Sequence, residues 1–182
     1  MAAGVAALAL VVGLSAVTGR LPSSAAAQAK THFDRATKMV DGGDFINARA
    51  ACEKAIEIKP DYADAHALLG FIQLNQGHAV PAIASMTKAI DLGMPPDELS
   101  VIYAFRGLAR VSLALNDLAL TDFDEAIALD SRNAFAYFGR GAMYATVGKD
   151  TQAILDLEKA LEFGLDGELR REAEALLEKL EP

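Results

Sequence analysis

The chain has one cysteine, three histidines, no tryptophan and no excess of basic residues. A single cysteine rules out an internal disulfide. Cys52 shares a predicted helix face with the slots of Met86 and Phe123, so it reads as a buried, inert thiol. Lys and Arg number 17 against 25 Asp and Glu, a formal net charge of −8. No basic stripe exists to displace phosphate counterions, which argues against a nucleic-acid partner. An acidic surface also repels anionic membranes. His32, His66 and His78 have no cysteine or further histidine at ligand spacing, so packing histidines are preferred to a metal site. No nucleophile motif, phosphate-cradling glycine loop or zinc-binding helix is present. The expectation is a non-enzyme without cofactor or metal.

Basic residues are also missing ahead of the apolar run 1–19, which carries no charged side chain at all. Arg20 and the small residues Ser23 to Ala27 follow it. This pattern suits a secretory signal peptide cut after Ala27, giving a leader over 1–27 and an exported protein, periplasmic or secreted. Nineteen residues are also near the length that spans a bilayer, so a retained anchor over 1–19 is the alternative. An organellar transit peptide is disfavoured by sparse Arg and Ser.

What the chain does have is hydrophobic content, 52% of 182 residues, enough for a continuous core in one domain after the leader. Within 63–96, Leu69, Gly70, Gln73 and Leu74 share a helical face, Gly77 stops that helix, and Ala82, Met86 and Ala89 mark a second. The small residues Gly70, Ala82 and Ala89 allow two helices to approach closely. The same frame returns as Ala36, Ala48 and Ala55, as Gly107, Ala119 and Ala126, and as Gly141, Ala153 and Ala160. Self-similarity at such a period is the signature of a solenoid. Four units result, at 29–62, 63–96, 100–133 and 134–167, inside a domain spanning 28–182.

This frame resembles the tetratricopeptide (TPR) repeat family over about four fifths of the chain. The resemblance implies an all-α, right-handed α-solenoid of four helix–turn–helix units. In the tail, Leu169, Ala173, Leu176, Leu177 and Leu180 form one apolar stripe, read as a capping helix over 168–180. A partner-binding segment is the alternative.

Helix boundaries follow from cap chemistry. The first helix of unit one is expected over Ala26 to Val40, with Asp44 capping the second. Asp61 with Asp64 suggests a capping box for unit two. Unit three is expected to begin at Pro95-Pro96-Asp97 and run to Leu115, with Asn116 or Asp117 capping its partner. Asn133 or Ser131 should open unit four, and Asp150 should cap its second helix.

Arg106 and Arg140 precede the small residue of their first helices, and Asp122 and Asp156 stand on the second helices at equivalent places. Two structural ion pairs are expected, Arg106–Asp122 and Arg140–Asp156. As surface pairs they would be worth about 0.2–1 kcal/mol and would orient helices more than hold the fold.

By resemblance, partners lie along a concave wall made by the first helices. The partner-binding candidates there are Phe33 and Thr37 in unit one, with Ala67, Phe71 and Leu74 in unit two. Unit three contributes Val101, Phe105 and Leu108, and unit four Phe135, Phe138 and Ala142. Chaperone-binding members use Lys, Asn and Arg in such places to clamp a carboxylate, and here those places are apolar. The expected guest is therefore an apolar or amphipathic peptide segment held by a non-catalytic scaffold. The alternative is that the phenylalanines bury one another. A homodimer, or an accessory subunit of an envelope or membrane complex, is the rival to a monomeric adaptor.

Overall fold

A computed structural model describes residues 24–180. The leader expected over 1–27 thus falls almost wholly outside the described residues. Among the described residues every regular element is a helix. The chain is all-α. It divides into two compact bodies, an N-terminal one ending at Glu98 and a C-terminal one beginning at Leu99.

In the N-terminal body, α1 (Ser24–Asp41) packs on α2 (Phe45–Ile58), and α3 (Ala63–Asn75) packs on α4 (Ala79–Leu92). The second pair joins the first mainly through α2 and α3. The small-residue frame is what brings each pair together: Ala36, Ala48, Ala55, Ala82 and Ala89 are fully buried. A Cβ at Gly70 would stand 2.6 Å from the Met86 side chain and 3.2 Å from the Ala82 carbonyl oxygen. Only a hydrogen atom fits there.

In the C-terminal body, α5 (Pro96–Val111, entering from the other body) is followed by α6 (Asn116–Leu129), α7 (Ala134–Thr146) and α8 (Asp150–Glu162). Phe123 fills the space left by two glycines, since a Cβ at Gly107 or Gly139 would come within 2.9 or 2.5 Å of its ring. Three elements are stitched by one buried polar chain. The Ser100 hydroxyl donates to the Ala126 carbonyl at 2.7 Å and accepts from the Asn133 amide at 2.8 Å. The Asn133 side chain also accepts the Ala136 N–H at 2.9 Å, capping α7. Helix α9 (Gly167–Leu180) lays Leu169, Ala173, Leu176, Leu177 and Leu180 on a cluster containing Tyr137, Phe138, Leu157 and Ala160.

All four hairpins turn in the same way. A backbone N–H reaches back five residues to a helix carbonyl: Asp44 to Met39, His78 to Gln73, Leu115 to Arg110 and Lys149 to Tyr144, at 2.8–2.9 Å. This Schellman closure needs a left-handed residue just before the donor. Gly43, Gly77 and Gly148 supply it in three hairpins, and Ala114 supplies it in the other with φ 56°.

Several expected caps are corrected. Helix α5 ends at Val111 rather than Leu115, because Ala114 turns the chain despite its Cβ. The N-cap residue of α6 is then Leu115, not Asn116 or Asp117. Tyr62 and Lys149 hold the N-cap positions of α3 and α8, so Asp64 and Asp150 stand in the first turns and Asp61 precedes the cap. Aspartates inside the first turn still favour the positive end of the helix dipole. Asp44 does cap α2, accepting from the Asn47 N–H at 3.2 Å.

Candidate functional site

The wall expected to be an open apolar trough is largely filled. Phe33, Ala67, Phe71, Phe105 and Phe138 are all buried, Phe138 being the most open at 8%. This corrects the expectation of exposed groove phenylalanines in favour of the alternative. The physical reason is that each aromatic has a partner of its own. Phe33 packs on Tyr62 at 5.2 Å between ring centres, Phe71 on Phe45 at 6.4 Å, and Phe105 on Phe135 at 5.0 Å. Phe138 joins the cluster beneath α9. Aromatic pairs in these tilted arrangements stabilise beyond their buried area. Of the remaining candidates, Thr37, Leu74, Val101, Phe135 and Ala142 are half-buried, and Leu108 is exposed.

The two arginine–aspartate pairs are not the surface pairs expected, since both aspartates are buried. The Arg106 guanidinium donates to Asp122 through two bonds, at 2.7 and 3.0 Å, with Asp122 only 1% exposed. Arg110, one helical turn on, reaches the same carboxylate at 2.8 Å and also donates to the Leu118 carbonyl. Arg140 donates twice to Asp156, at 2.7 and 2.9 Å, and once to Asp124 at 2.6 Å. These bonds, led by the one to Asp156, push the Arg140 pKa further up. Sequence reasoning missed Arg110 and Asp124. Asp124 belongs to the second helix of the preceding repeat, so a search confined to one repeat could not find it.

Repeat two departs from this arrangement. Leu69 stands where the others carry arginine, and Ser85 stands in the place of the aspartate. The Ser85 hydroxyl donates to Gln73 at 2.8 Å. An open cleft of about 460 Å³ results, bounded by α2, α3 and α4, with Leu69 and Ser85 in its lining.

Other polar groups are accounted for without chemistry. Burial pushes the Cys52 thiol up to about 12, so it is protonated at neutral pH and inert. The His66 ring lies 2.9 Å from the Pro60 carbonyl. Among the described residues, no group of three or more His, Cys, Asp and Glu is placed to hold a metal ion.

Residues 39–77 match the family model for the TPR repeat. The fold is that of TPR proteins. A chain in the crystal structure of the APC/C hetero-tetramer Cut9-Hcn1 superposes over 85% of this chain with a TM-score of 0.77 at 16% identity. YrrB, a TPR protein with an unusual peptide-binding site, superposes over 75% of this chain and 69% of its own, with a TM-score of 0.63 at 23% identity. Among curated proteins, serine/threonine-protein phosphatase T of Trypanosoma brucei brucei (strain 927/4 GUTat10.1) is 32% identical over 81 residues, or 44% of this chain. The chain spans only 16% of that phosphatase and 30% of the Cut9-Hcn1 chain. The buried aromatic pairs and arginine bridges described above hold the helices of the hairpins together.

Proposed function

We propose that this chain is a non-catalytic scaffold that holds a protein or peptide partner against its TPR hairpins. The observation that carries the reading is the fold itself, supported by its likeness to a peptide-binding TPR protein. The absence of any nucleophile or phosphate-binding motif in the sequence agrees with it. With Phe33, Phe71, Phe105 and Phe138 buried, the contact surface on the first helices consists of the more open candidates, Thr37 and Leu74 in one body and Val101, Leu108, Phe135 and Ala142 in the other. These favour an apolar or amphipathic segment as guest.

The apolar run 1–19 supports placement outside the cytoplasm or at a membrane, by export or by tethering. Among the described residues no helix is long and apolar enough to cross a membrane.

The test is capture of partners from the protein's own envelope fraction by the wild type and by Leu108→Asp. Leu108 is 38% exposed, so the charge is tolerated by the fold and should abolish capture with the helical circular dichroism unchanged. Equal capture by both proteins would remove this surface from the proposal. A mass that rises with concentration in sedimentation would replace the adaptor by a self-associating subunit.

A further inference from the structure

The cleft in repeat two is the counterpart of a slot that repeat four fills with its own arginine. In repeat four the Arg140 guanidinium lies between Asp156 of its own second helix and Asp124 of the preceding one. Its central carbon lies 5.6 Å from the Tyr137 ring, and the Lys159 ammonium lies 5.1 Å from the same ring. Transposed by the repeat, these five places become Leu69, Ser85, Glu53, His66 and Lys88, and all five line the cleft. The acidic residue of the preceding helix is retained as Glu53, and Glu57 adds a second carboxylate to the lining. The flat ring is retained as His66. Only the arginine and its own-repeat aspartate are gone.

We propose that this cleft receives an arginine side chain from a protein partner. The guest supplies from outside the guanidinium that repeats three and four carry within. Its aliphatic stem lies on Leu69 and its planar head faces Glu53, with the lone pairs of the Ser85 hydroxyl as a further acceptor. Arginine is selected over lysine because a planar fork meets a carboxylate through two bonds and stacks on a flat ring, as a compact ammonium cannot. Lys88 does not exclude a cation, since its equivalent Lys159 lies over the same Tyr137 ring that the Arg140 guanidinium approaches. Glu53 now bonds Arg49 at 2.8 Å and Glu57 bonds Lys54 at 2.8 Å, both on the solvent side of one helix. Exposed pairs of this kind are weak and exchange readily.

This inference rests on the protein-binding reading for the nature of the guest, but its test needs no partner. The isotope-labelled full chain is titrated with N-acetyl-argininamide and followed by amide and imidazole resonances. Saturable shifts confined to Glu53, His66, Ser85 and Lys88 are expected, weaker with N-acetyl-lysinamide. Glu53→Gln, a surface change, should lower the affinity about fivefold. Leu69→Arg with Ser85→Asp fills the slot as repeat four does, and should abolish the shifts. No saturable shift, indifference to Glu53→Gln, or equal binding of N-acetyl-leucinamide would overturn the proposal. A concentration-dependent mass lost in the double variant would also overturn it, by placing a second copy in the cleft. Failure here leaves the Leu108→Asp capture experiment untouched, because Leu108 is not among the residues lining the cleft.

Discussion

The Asp122 carboxylate is shared by Arg106 and Arg110, two arginines one helical turn apart, at 2.7 and 2.8 Å. Desolvation lowers the Arg110 pKa, and the charge of Asp122 opposes that shift. Removing the carboxylate would leave two cations competing for one sparsely hydrated place. Asp122→Ala should therefore destabilise the chain by about 3–5 kcal/mol, as measured by urea denaturation. Replacing Arg110 alone should cost less, since Arg106 keeps both of its bonds to the carboxylate.

Ala114 holds a left-handed φ of 56° at a turn where the other three hairpins use glycine. The Cβ costs about 1–2 kcal/mol in that region. Ala114→Gly should recover roughly 1 kcal/mol after the greater freedom of glycine in the unfolded chain is subtracted. Thermal unfolding of the variant checks this, and a lower midpoint would contradict it.

Gly70 lies against α4 with no room for a methyl group. Two of the three nearest atoms, the Ala82 carbonyl oxygen and the Met86 amide nitrogen, are backbone and cannot rotate away. Gly70→Ala should destabilise by about 1–3 kcal/mol despite the better helix propensity of alanine. An undiminished penalty in a Met86→Ala background would show that the backbone atoms, not the side chain, are the main obstacle.

Glu98 is 3% exposed, and its Oε2 has no hydrogen-bond partner among the described residues. Burial first, then the carboxylates of Asp64 and Asp97, raise its pKa from 4.5 to about 7. The folded chain thus binds this proton more tightly than the unfolded chain does, and stability should fall as pH rises from about 4.5 through about 7. Glu98→Gln should flatten that slope and stabilise at pH 8 by roughly 1–2 kcal/mol. Denaturation at pH 5 and pH 8 reads both effects.

Phe105→Asp should unfold the C-terminal body rather than spare it, because Phe105 is 5% exposed and stacked on Phe135. A buried, unpaired carboxylate costs several kcal/mol. Retained helical circular dichroism in this variant would return the residue to the surface.

Local pattern settled a good deal. An all-α chain of helical hairpins is legible because close helix contact demands small residues, and Gly70, Ala82 and Ala89 can be read at their spacing in any copy of the frame. The cap at Asp44 and the apolar stripe of α9 are equally local. What the linear pattern could not carry was neighbourhood across repeats. Helical period gives the direction of Phe33 or Phe71 but not whether Tyr62 or Phe45 comes down on it, and it cannot place Asp124 beside Arg140. Those contacts, the burial they bring, and the cleft left between Glu53, Leu69 and Ser85 arise when separate helices meet, so tertiary packing alone decided them.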